Sequence, residues 1–148
     1  MKYIVYGRPQ INNDQKREIL NTLNSSWIGS GPKVQLFEKK FRYYKNIKYS
    51  TAVNSCTAAL HLSLNALNLN KDDEVIVPAM TFCATVNSII HSGAKPVLAD
   101  VDYNSGNITA ESIKSKITKN TKAVVIVHLA GNPCEMDRIN EIAQRHDL

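Results

Sequence analysis

The sequence predicts an α/β fold, a three-layer arrangement in which a mostly parallel sheet is flanked by helices. Three observations carry that expectation. After Tyr49, short apolar runs alternate with segments of helical length and period. Two of the runs, EVIVPA from Glu74 and KAVVIVHL from Lys122, are apolar without alternation, as strands buried on both faces are. Strand-helix repetition with such strands implies right-handed crossovers and an open parallel sheet.

Taken in order, the elements begin with two helices. Asn12-Asn13-Asp14 offers an N-cap for a helix to about Leu23, with Ile19, Leu20 and Leu23 apolar. Ser25 to Pro32 (SSWIGSGP) reads as a loop, and Pro32 suits the first turn of the next helix. There Val34, Phe37, Phe41 and Tyr44 recur at helical spacing, leaving Lys39, Lys40 and Arg42 on other faces. Beyond Tyr49 the pattern predicts strands at 49–53, 74–78, 96–101 and 122–128. The helices between and after them fall at 56–67, 81–92, 109–118 and 135–146. Phe82, Val86, Ile89 and Ile90 form one stripe, and Met136, Ile139, Ile142 and Ala143 another. The chain thus divides into a helical segment with a loop, 1–48, and an α/β part, 49–148.

Composition bounds what such a chain does. Its 148 residues are enough for one real core, and a hydrophobic fraction of 43% with 21% charged residues is that of a globular protein. No apolar run approaches the roughly 20 residues of a membrane span, and MKYIVYGRPQ lacks a signal-peptide core. Cys56, Cys83 and Cys134 are odd in number and contain no C-x-x-C pair. That argues against a disulfide framework or a structural zinc site, and fits a reducing cytoplasm. The net charge of +5 is spread along the chain without a basic block, which reads as solvated surface rather than a nucleic-acid footprint. No metal site is expected.

In open α/β sheets, ligands bind beyond the carboxyl ends of the strands. The candidates there are Ser55-Cys56-Thr57-Ala58, then Met80-Thr81-Phe82, then Asp100 and Asp102, then His128 to Gly131. The first is an uncharged helix start, VNSCTAALHLSL, directly after an apolar run. Its unpaired N–H groups and positive dipole end suit a phosphate without any cationic side chain. Ser55 and Thr57 add hydroxyls, and Ala58 and Ala59 leave room for an anion. Equally, Ser55 is a residue that simply caps a helix. The chain has neither G-x-G-x-x-G nor G-x-x-x-x-G-K-[ST]. Asp100 and Asp102 lie two apart on a strand end, which requires no acid-base role.

Taken together, SSWIGSGPKVQLFEKKF (25–41), AVNSCTAALHLSL (52–64), DDEVIVPAMTFCATVNSI (72–89), GAKPVLADVD (93–102) and TKAVVIVHLAGNPCEMDRI (121–139) carry a resemblance. In order and spacing the chain resembles the pyridoxal phosphate (PLP)-dependent sugar-nucleotide aminotransferases of the DegT/DnrJ/StrS group, whose fold is aspartate-aminotransferase-like. Cys56 stands where many members have glycine, a change that keeps the backbone donors. The resemblance implies that residues 49–148 are the N-terminal part of the large, PLP-binding domain of a fold-type-I enzyme. It implies that Ser55, Cys56, Thr57 and Ala58 hold the cofactor phosphate and that Phe82 stacks on its ring. Read from periodicity alone, Phe82 belongs to the core stripe instead. Thr85 and Asn87 are expected to shape the pocket or a dimer contact, and His128 and Gly131 its floor and turn. Trp27, Ile28, Gly29 and Ser30 look like the loop reaching the partner subunit's active site; the alternative is an ordinary inter-helix turn.

The implied activity is transfer of an amino group, from glutamate, to a keto-sugar nucleotide, in amino-sugar or surface-polysaccharide biosynthesis by a cytoplasmic homodimer. The family's pyridinium-pairing aspartate and Schiff-base lysine match no residue here, so no catalytic residue is assigned. The 148-residue chain by itself is expected to be a truncated, inactive piece. Two other readings stand beside this one. Cys56 at a helix start suits a thiol enzyme with His128 or His61 as base, and the same fold also serves non-catalytic binding modules.

Overall fold

The computed structural model describes residues 7–148; residues 1–6, part of the stretch read as lacking a signal-peptide core, lie outside the described residues. Two compact units divide the chain, one up to Ala52 and the other Val53–Leu148.

In the first unit, α1 (Asn13–Asn24) starts at a reciprocal cap. Asn12 accepts the Gln15 amide, and the Gln15 side chain returns to the Asn12 amide. α2 (Pro32–Lys45) has its proline in the first turn and ends at Asn46 in the left-handed region (φ 52°). Lys33 reaches Glu18 at 2.6 Å, which holds that carboxyl below its usual value, although both side chains are exposed. The apolar periodicity of the two helices is real, but neither buries a residue. Ile19, Leu20, Leu23, Phe37 and Phe41 are all exposed.

The expected strand at 49–53 does not form. The polar groups there are spoken for by α2: the Ala52 amide donates to Glu38 Oε1 at 2.8 Å and Ser50 Oγ donates to the Glu38 carbonyl at 2.9 Å. A backbone donor held by a side chain is lost to a sheet ladder.

The second unit holds the sheet. β1 (Glu74–Pro78) lies between β2 (Lys95–Ala99) and β3 (Thr121–Val124), both parallel to it, in the order β2-β1-β3. Helices α3 (Cys56–Asn65), α4 (Cys83–His91), α5 (Ala110–Lys114) and α6 (Met136–His146) complete the unit. The two-residue alternation of β1 explains the layers. Val75 and Val77 pack with Leu64 of α3, Ile89 of α4 and Ala94. Ile76, between them, joins Ile108, Ile113 of α5, Ile139 of α6 and Cys134. All three β1 side chains are fully buried, as a continuous apolar run requires.

The expected bounds shift at several ends. β3 stops at Val124 rather than 128, although the Val125 amide still donates to the Ile76 carbonyl at 2.8 Å. Its residues beyond Thr121 are at most half-buried, because β3 has β1 on one side only among the described residues. α5 is one short turn and a half instead of 109–118. α4 begins at Cys83, so Phe82 stands outside the helical stripe, and Ile90 is exposed.

Candidate active site at the carboxyl edge of the sheet

α3 starts as the sequence pattern requires. Ser55 is its N-cap with extended backbone, its Oγ accepting the Ala58 amide at 3.1 Å, and the Ala59 amide makes the first helical bond to the Ser55 carbonyl. Among the described residues, the Cys56 and Thr57 amides have no protein acceptor. Two backbone donors and the positive end of the helix therefore face outward. Ser55, Cys56 and Thr57 are exposed and Ala58 is half-buried. Ser55 caps the helix, as one of its two readings expects. Its oxygen takes one amide while its hydrogen stays free to donate.

Phe82 is mounted at the start of α4. Its backbone is extended, its carbonyl accepts the Thr85 amide at 3.0 Å, and the hydroxyls of Thr81 and Thr85 meet at 2.8 Å. Thr85 is buried, yet the Phe82 ring is 75% exposed. The turn that ends β1 thus presents an aromatic face instead of packing it. Asn87, one turn into α4, is also exposed.

The loop after β2 folds around its own carboxylate. Asp102 Oδ1 accepts the Ser105 amide at 2.8 Å and the Asn104 amide at 3.1 Å, and the Ser105 bonds above all hold that carboxyl below its ordinary value. Asp100 Oδ1 caps the Val101 amide at 2.9 Å. Each acid serves backbone, so no acid-base pair forms. Gly106 (φ 69°) closes the loop, and a Cβ there would overlap the Leu129 side chain and touch Met80. The loops that follow β1, β2 and β3 therefore meet at one edge.

After β3 comes a tight segment, His128 to Cys134, with Ala130 and Gly131 both in the left-handed region (φ 52° and 84°). Buried Asn107 ties it down: Nδ2 donates to the Asn132 carbonyl at 2.9 Å and Oδ1 accepts the Leu129 amide at 3.0 Å. Sequence reasoning missed this residue, since an asparagine after Ser105-Gly106 looks like any turn residue. Burial pushes the Cys134 thiol up, and its Sγ sits 3.3 Å from the Val127 carbonyl. A cleft of about 450 Å3 opens beside these loops, lined by Asp102, Asn107, Asn132, Cys134 and Arg138. Arg138 pairs there with Glu111 and Glu135, so its charge is already compensated.

The bases expected for a thiol enzyme are engaged elsewhere. His61 Nε2 lies 3.2 Å from the Asn65 amide group, and its ring faces His91 with centroids 6.0 Å apart. His128 Nδ1 accepts the Cys134 amide at 3.0 Å. In the other unit, Trp27 Nε1 donates to the Ser30 carbonyl at 3.0 Å and the indole occupies the space a Cβ of Gly31 would need. The loop is folded on itself, leaving Ile28 and Trp27 exposed.

Residues 9–148 match the model of the DegT/DnrJ/EryC1/StrS aminotransferase family. The chain belongs to that family. It is 47% identical over 146 residues to the spore coat polysaccharide biosynthesis protein SpsC of Bacillus subtilis, covering 99% of this chain and 38% of that protein. It is 42% identical to GDP-perosamine synthase of Escherichia coli O157:H7, over the whole of this chain and 41% of the synthase. Among solved structures, NtdA of Bacillus subtilis with bound cofactor PMP superposes with a TM-score of 0.85 at 39% identity, over 93% of this chain and 33% of NtdA. The three-layer parallel sheet is thus the family's fold. The chain spans about two fifths of the length of the curated relatives it matches.

Proposed function

We propose that this chain carries the cofactor-anchoring part of a PLP-dependent aminotransferase that aminates a keto-sugar nucleotide for polysaccharide or amino-sugar biosynthesis, with glutamate as donor. The observation that carries this reading is the presence, in one small unit, of an uncharged helix start with two unpaired amides and of an exposed phenylalanine at the next helix start. Phosphate and a flat heteroaromatic ring are what those two features suit. PMP in NtdA is the amino form of that cofactor.

Each residue has a task in this reading. The Cys56 and Thr57 amides and the hydroxyls of Thr57 and Ser55 hold the phosphate dianion, and Ala58 keeps the approach free of side-chain bulk. Phe82 covers one face of the pyridine ring and excludes water from it. Bound there, the cofactor supplies the electron sink that lets an amino group pass from amino acid to ketone. The loop Trp27, Ile28, Gly29 and Ser30, between α1 and α2, serves the active site of a second copy, and the working enzyme is a homodimer in the cytoplasm. No helix among the described residues is long and apolar enough to cross a membrane.

The test is amino transfer by a family-length protein carrying this sequence. Incubated with PLP, glutamate and a panel of 4-keto and 3-keto sugar nucleotides, it is expected to form 2-oxoglutarate and an amino sugar. Failure with every keto sugar, alongside turnover of a non-sugar ketone, would overturn the substrate assignment.

A further inference from the structure

The segment after β3 contains a histidine whose tautomer the backbone decides. His128 Nδ1 accepts the Cys134 amide at 3.0 Å. An amide only donates, so Nδ1 carries no proton and the neutral ring keeps its proton on Nε2. The same segment is held from below by Asn107, only 5% exposed, through its two bonds to Asn132 and Leu129. Cys134 secures the far end at the Val127 carbonyl. Backbone and one ring nitrogen are committed, while the His128 ring remains exposed.

Its place gives the free nitrogen a task. β3 and β1 are adjacent and parallel, paired as far as Val124 and Ile76, so the segment leaving β3 and the turn leaving β1 emerge at the same edge of the sheet. That turn carries Met80 and Phe82, and Met80 and Leu129, the residue next to His128, both lie within 4 Å of where a Cβ of Gly106 would stand. A ring mounted on a doubly braced segment at a ligand-binding edge, with a single N–H outward, complements an acceptor oxygen. We propose that His128 offers its Nε2–H to an oxygen of the molecule bound at this edge, and that Asn107 is the positioning residue for its loop. The inference rests on reading the edge as the cofactor and substrate site. The oxygen belongs either to the cofactor or to the keto sugar, and the experiment separates them.

The experiment uses a family-length protein carrying this sequence, titrated with PLP by its visible absorbance and assayed with the keto-sugar nucleotide it turns over. His128→Asn keeps an acceptor near the Nδ1 position for the Cys134 amide but has nothing at Nε2. His128→Gln restores a donor there. The expected result is a roughly tenfold weaker constant in His128→Asn, recovered to within about threefold in His128→Gln, the scale of one hydrogen bond to a charged acceptor. A change in PLP affinity alone assigns the oxygen to the cofactor, and a change in KM alone to the sugar. In nitrogen-15 spectra of the ring, the wild type should carry its proton on Nε2, and Asn107→Ala should mix the tautomers. A proton on Nδ1, or equal constants in wild type and His128→Asn, would overturn the proposal. A wild type that never binds PLP overturns instead the underlying reading of the edge.

Discussion

Thr57 stands second in α3, with its amide free of any acceptor among the described residues and its hydroxyl exposed. A dianion placed against that helix start gains one charge-assisted bond from the hydroxyl. Thr57→Ala is therefore expected to weaken PLP binding by about 1.5 kcal/mol, roughly tenfold, in a family-length protein. Thr57→Asp sets a carboxylate against the phosphate and should do worse than alanine. Equal affinity of the aspartate variant and wild type, read by cofactor titration, rules out the site. The Ser55 cap works on a different account: its oxygen serves the Ala58 amide, so its removal is felt by the helix as well as by the ligand.

Asp102 organises a whole element. Its carboxylate accepts two amides of the loop that follows β2, and charge on the acceptor strengthens both bonds. The folded value lies below the ordinary one, so the stabilisation is fully present above the ordinary value and is lost as pH falls through the lowered one. Acidification should open the 102–107 turn while β1 stays paired, since the Asp102 bonds take no part in the β1 ladder or in the cluster around Val75 and Val77. Amide exchange at Ser105 followed against pH checks this. A midpoint at or above the ordinary aspartate value contradicts it. At the same scale, β1 was fully legible because three apolar residues in a row have to be buried on both faces. Phe82 was not, because helical periodicity cannot tell the last residue before a helix from its first turn.

At the scale of the molecule, two expectations concern association and cofactor attachment. Its first unit carries an apolar stripe over α1 and α2 with no buried residue, and exposed Trp27 and Ile28 adjoin it. Apolar faces of this kind mark contact surfaces, and the proposed cover is a second copy. A family-length protein should sediment as a dimer at micromolar concentration; a monomer there removes the dimer from the proposal. The second expectation concerns the 148 residues by themselves. None of the 13 lysines stands in a motif matching the family's cofactor-bearing lysine. Treated with PLP and borohydride and then dialysed, the chain should keep no stoichiometric label at a single lysine. One saturating site, with amino transfer to a keto sugar, would reverse that account.

What the sequence determined by itself is what periodicity and residue chemistry can express locally. The central strand and the helix starts at Ser55 and Asn12 follow from a few consecutive residues. The tertiary structure decided whatever depends on which group finds a distant polar partner first. Glu38 claims the Ala52 amide and no strand forms at 49–53. Asn107 reaches more than 20 residues along the chain to brace the His128 segment, and the Cys134 amide selects that ring's tautomer. Hydrogen bonds of this range leave no period in the sequence, because their spacing is set by how the loops converge and not by the repeat of a helix or strand.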